Sequence, residues 1–234
     1  MKTENQRRSS NIEDRRGSGF PGGKGGLGLG GIVIVLIAAY FGVDPKLALQ
    51  TANQLGSTAS TAPSGPVTES TREAAARDLV SVVLADTEDT WQAIFRSMGQ
   101  TYQEPRLVLF SGATESGCGF AQSAIGPFYC SADESIYMDL DFLSDLQNRL
   151  GADGDFAVAY IIAHEVGHHV QHLLGILGQV NARRGGRQEA GSDSLSVRLE
   201  LQADFLAGVW AHYAHRTKGL LEPGDVEEGV AAAG

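Results

Sequence analysis

The run from Ala163 to His169, AHEVGHH, holds three of the six histidines in this 234-residue chain. His164 and His168 are four residues apart, so on an α-helix they lie about 40° apart on one face and one turn apart along the axis. Two imidazoles placed this way can reach one metal ion. Glu165 projects about 100° round from His164, close enough to hold a water on the open side of the ion without being a ligand. This is the H-E-x-x-H spacing, in which zinc brings the pKa of its water towards ~7 and the glutamate takes the proton.

A zinc that does chemistry needs a third protein ligand and an open fourth position. The metzincin pattern would put glycine three residues and histidine six residues beyond His168; the sequence has Gln171 and Leu174 there, which excludes that class. His172 lies ~12 Å along the axis from His164 and cannot share its ion. His169 points to another face, and both histidines read as partly exposed or core-edge residues. In RLELQADFLAG, Glu200 and Asp204 are again one turn apart. Glu200 can give the ion a carboxylate oxygen, and Asp204 can accept the ring N–H of a ligating histidine and fix its tautomer. Alone, this pair would read as a solvated helix face; the histidine pair upstream makes it a ligand candidate. The small residues Ala203, Ala207 and Gly208 would let its helix pack closely on the one bearing Gly167.

These residues need elements to hold them. Apolar spacing predicts a helix N-capped at Asp153 or Asp155 and running to about Leu174, and another from about Ser194 to Thr217. Between them, Gly178 to Ser194 reads as a long polar loop. Upstream, Arg72 to Gly99 predicts one or two helices, RLVLFSG and SIYMDLD read as strands, and DFLSDLQNRLG reads as a short helix capped by Gly151. The terminal EEGVAAAG belongs to a further helix. The fold class is α+β, mostly helical with a small sheet. A substrate peptide could add as a strand along SIYMDLD; for Tyr137, within it, ordinary packing is the simpler reading.

Net charge is −10, but residues 1–26 carry six Lys/Arg against three acids, a local +3, so the remainder sits at −13. An acidic body argues against nucleic acid, whose binding depends on neutralising phosphates. The uncharged run 27–43, containing GGIVIVLIAAYFGV, would make a helix of roughly 26 Å, slightly short of a ~30 Å hydrocarbon core. No Ala-x-Ala-like cleavage site closely follows, so the run reads as a retained signal anchor. The basic residues before it place the N-terminus in the cytoplasm and the remainder outside. Neither Arg7-Arg8 nor Arg15-Arg16 is followed by the apolar residues of a twin-arginine signal, so both pairs read as topology charges. The expected organisation is a cytoplasmic segment 1–26, a transmembrane anchor 27–43, a flexible linker 44–71 and a domain 72–234. Cys118 and Cys130 are either two reduced thiols or, in the oxidising compartment that export implies, a disulfide worth roughly 3 kcal/mol.

RRSSNIEDRRG, SGCGFAQSAIGPFYCSADESIYMDL, AHEVGHHVQ and ELQADFLAGVWAHY together resemble the bacterial neutral zinc metallopeptidase family, related to the gluzincins by H-E-x-x-H plus E-x-x-x-D. The resemblance covers nearly the whole chain. Ser131 departs from it, standing where proline is expected after the second cysteine, and members of the family continue with a further C-terminal segment. It implies a zincin-like domain and Zn2+, with His164, His168 and Glu200 as ligands, Glu165 as general base and Asp204 as support behind a histidine. The activity implied is membrane-anchored peptide hydrolysis. The rival reading is an envelope protein in which zinc staples two helices and the domain binds partners. Glu165 separates the two, because a purely structural site gains nothing from a carboxylate beside its first ligand.

Overall fold

A computed structural model describes residues 1–16, 69–122, 126–140, 142–143, 154–184 and 194–233. The expected anchor 27–43, nearly all of the linker and most of the short helix after Asp141 lie outside the described residues. Among the described residues, no helix is long and apolar enough to cross a membrane.

Strand β1 (Ile12–Asp14) comes first in the chain, followed by helix α1 (Thr71–Ser97). At the start of α1 the Ser70 hydroxyl accepts the Glu73 backbone N–H, while the Glu73 carboxylate accepts the Ser70 N–H. This capping box satisfies donors that the first turn leaves open. The helix runs unbroken and is buried on nearly every side from Leu79 to Glu88.

Strands β2 (Arg106–Phe110), β3 (Ala113–Ser116), β4 (Gly119–Gln122), β5 (Phe128–Cys130) and β6 (Ser135–Asp139) follow. The main sheet has the order β1-β2-β6-β5, with the first three strands parallel and β5 antiparallel to β6. β3 and β4 form a separate hairpin. Leu107, Leu109, Ile136 and Met138 face the main core, and Val108, Phe110 and Tyr137 face a smaller cluster with Cys130. Both faces are therefore covered. The stretch expected to offer a substrate its edge, SIYMDLD, lies inside the sheet, paired with β2 on one side and β5 on the other. Tyr137 is buried, stacked on Phe128, and donates its hydroxyl to Asp133. Cys118 and Cys130 form the disulfide.

Helix α2 (Asp155–Leu173) is the centre of the helical layer. Gly154, not an aspartate, is its N-cap and offers no side chain; the Phe156 N–H is instead 3.3 Å from a Glu228 carboxylate oxygen. Helix α3 (Ile176–Arg184) occupies part of the expected loop, and the remainder, 185–193, lies outside the described residues. Helix α4 (Leu195–Lys218) is capped by the Ser194 hydroxyl and ends at Gly219 in the left-handed region, φ 61°. Helix α5 (Asp225–Ala233) closes the described chain. Asp86, buried in α1, accepts the Trp210 indole N–H at 2.8 Å and pairs with Lys218 at 2.7 Å, tying α1 to α4.

The decisive packing contact joins α2 and α4. A β-carbon on Gly167 would sit 2.9 Å from the Ala203 carbonyl oxygen and 3.1 Å from its Cα. Ala203 and Ala207 are buried at this crossing, whereas Gly208, expected there too, is exposed. In an open helix, Gly→Ala stabilises by roughly 0.5–1 kcal/mol. Here the clash with backbone reverses the sign. Gly167→Ala is expected to lower stability by about 1–3 kcal/mol in a urea titration and to reduce zinc retention.

Candidate metal centre

Helix α2 presents His164 and His168 to α4, and the close crossing at Gly167 brings Glu200 against them. Glu200 Oε2 is 3.3 Å from His164 Nε2 and 3.3 Å from His168 Nε2. The three donor atoms all lie within 4.8 Å of one another. Ligands ~2.0–2.1 Å from a tetrahedral zinc stand roughly 3.3–3.4 Å apart, which is the separation from Glu200 to each imidazole. The donor set, two nitrogens and a carboxylate, suits zinc and leaves one position free.

The other ring nitrogens are held as such a site requires. His164 Nδ1 donates to Asp204 Oδ1 at 2.8 Å, and His168 Nδ1 donates to Gln171 Oε1 at 2.9 Å. Each hydrogen bond fixes the tautomer and turns Nε2 towards Glu200. Asp204 therefore takes the place read for it. Gln171 was read only as the residue that excludes the metzincin pattern, yet it is fully buried and its amide donates to the Leu199 carbonyl at 2.8 Å and to Gln202. It orients one histidine and latches α2 onto α4. Tyr160 was also missed; its hydroxyl makes a short hydrogen bond to the same Asp204 oxygen that receives His164. Their spacing carried a signal, since Tyr160 precedes His164 by four residues and Gln171 follows His168 by three, on the same faces of one helix.

The remaining histidines serve packing. His169 is not at the core edge but fully buried, its Nε2 donating to the Gln103 carbonyl at 2.7 Å and its Nδ1 accepting from the Tyr129 hydroxyl. Burial pushes its pKa down, in keeping with a neutral ring that fastens α2 to β5. His172 is half-buried, 3.4 Å from Glu134.

Glu165 is 8% exposed and takes no part in the three-donor cluster. Burial pushes its carboxyl up to about 7, against the pull of the two neighbouring histidines and a backbone hydrogen bond from Tyr129. Burial acts to lower His164, but hydrogen bonds to Glu200 and Asp204 and the charge of Glu165 carry it up to about 9; His168 is raised for similar reasons. The two imidazoles in turn hold Glu200 far below the usual carboxylate range.

The whole chain, residues 1–234, matches the protein family described as "Putative neutral zinc metallopeptidase". It is 48% identical to the uncharacterised protein YpfJ of Escherichia coli strain K12, over all of this chain and 82% of that one. It is 40% identical to the uncharacterised protein Rv2575 of Mycobacterium tuberculosis strain H37Rv, over 84% of this chain and 68% of that one. No solved structure matches.

Zinc takes neutral imidazole, so the raised histidine pKa values make binding a proton-releasing reaction. Zinc affinity is expected to rise with pH between about 6.5 and 9, and calorimetry at pH 7 in two buffers of different ionisation heat is expected to show one to two protons released. Equal heats in both buffers would contradict the assignment.

Proposed function

This chain belongs to the neutral zinc metallopeptidase family, and from that premise we propose that it is a membrane-attached, zincin-like endopeptidase of the gluzincin type. The observation that carries the reading is Glu165, a buried carboxyl beside three converging donors that is not itself among them, with a proton affinity near neutrality. His164, His168 and Glu200 would hold the zinc, with Asp204 and Gln171 holding the histidines. When bound, zinc supplies a Lewis acid that makes water acidic near neutral pH and stabilises negative charge developing on a carbonyl oxygen.

Glu165 performs the proton transfers. Buried beside the three donors but outside their set, it is placed to accept a proton from water and then pass it to the departing amine. β5 supports a place for the substrate. Its Tyr129 backbone amide reaches Glu165, and no described strand pairs with its outer edge. An extended peptide adding there would gain main-chain hydrogen bonds and bring a carbonyl towards the site. The apolar run 27–43 supports attachment to the bacterial membrane, and the Cys118–Cys130 disulfide supports a site on its outer, oxidising side.

Glu165→Gln is expected to retain zinc while casein hydrolysis falls by about 10²–10⁴. Glu200→Ala is expected instead to lower the zinc content recovered by elemental analysis. Undiminished cleavage in the first variant would remove Glu165 as the base, and full zinc in the second would remove Glu200 from the ligand set.

A further inference from the structure

The N-terminal residues read as topology charges are used up inside the fold. Arg7 reaches Glu88 at 2.7 Å and Asp89 at 2.8 Å, and Arg8 reaches Asp78 at 2.7 Å. Arg15 pairs with Glu13. Arg16, with its side chain 3% exposed, pairs with Asp14 and with Glu69 at 2.8 Å. Between these arginines, β1 lies in register against β2, Ile12 opposite Leu107 and Asp14 opposite Leu109. Residues 1–16 and 68–234 accordingly form one compact unit.

Glu88 makes this arrangement compulsory. It lies in the middle of α1 at 1% exposure, and its carboxylate accepts from Arg7, from Ser9 at 2.5 Å and from Asn11 at 2.9 Å. All three donors come from the N-terminal segment. Taking that segment away would leave a charge buried without its partners, which folds do not tolerate cheaply. RRSSN therefore belongs to the domain it precedes.

A membrane imposes a geometric condition on this unit. One passage of the chain across ~30 Å of hydrocarbon would leave Arg16 on one side and Glu69 on the other, yet they touch. Two passages need roughly 40 apolar residues. The uncharged run 27–43 supplies 17, and the sequence from Asp44 to Thr68 is too rich in Ser, Thr, Gln and Pro to supply the rest.

We propose that residues 1–16 and the metal centre lie on the same side of the membrane, so that the run 27–43 is not a single-pass anchor. The chain that leaves at Arg16 returns at Glu69 to the side on which it started, because those two residues are clamped together. The inference stands whether or not the centre hydrolyses peptides, because it uses none of the zinc ligands.

The test uses the full chain in Escherichia coli cells, with a cysteine placed at exposed Glu4 (Glu4→Cys) or exposed Arg216 (Arg216→Cys) and the parent chain as the blank. Spheroplasts are treated with a membrane-impermeant maleimide before and after permeabilisation, and the membrane fraction is collected by sedimentation. The expected result is one labelling pattern for both positions, either both reactive or both protected until permeabilisation, with the protein in the membrane fraction. Opposite patterns would restore the single-pass anchor and overturn the proposal. Recovery in the soluble fraction would remove the membrane from the premise and overturn the proposal.

Discussion

The Ala203 backbone stands where a β-carbon on Gly167 would have to be, and this contact sets the distance between the two helices that carry the centre. Across this close crossing Glu200 comes within 3.3 Å of both imidazoles. The histidines share a face of α2 by helical spacing alone, but the third donor arrives from another part of the chain and depends on packing. Gln171 reinforces the same junction, with its carbonyl on His168 and its amide on the α4 backbone. The three-donor cluster thus depends on one crossing, and the glycine that permits it sits between the two histidines of the cluster.

The acids around the crossing are kept in different states by their surroundings. Glu200, largely exposed and held by two imidazoles, stays ionised. Glu165, one residue from His164 but buried, has its ionisation pushed up to about 7. The contrast follows from where the chain places each carboxylate: desolvation penalises the charged form of one, while facing imidazoles favour the charged form of the other. Asp204 has a third role. It is bridged by His164 and Tyr160 and fixes the direction of a ring.

Much of this was legible in the residues because it follows the 3.6-residue period. His164, His168, Glu165, Glu200 and Asp204 announce themselves by spacing, and the long helices by apolar recurrence. What was not legible depends on surroundings. His169 looks like an edge residue until α2 proves to be enclosed on nearly all sides, where a histidine must be satisfied within the core. α3 was hidden by glycines and polar residues that resemble a loop. β1 has only three residues, one of them apolar, inside a run of charges, and no alternation marks so short a strand. Arg7, Arg8 and Arg16, on either side of it, look like signals to a membrane because their partners Glu88, Asp78 and Glu69 lie 81, 70 and 53 positions further along the chain. The edge position expected of SIYMDLD failed because β5, its neighbour on the side away from β2, was not recognised within the cysteine-bracketed loop.

The placement of β1 also bears on the order in which the molecule can be completed. It leaves the ribosome well before its neighbour β2, which begins at Arg106, and before the buried Glu88 in α1. Long-range parallel pairing of this kind closes slowly, because a large loop must be restrained before any contact rewards it. A strand synthesised so far ahead of its partners must wait for them, and until it docks, α1 carries an acid in its interior without the donors of the N-terminal segment.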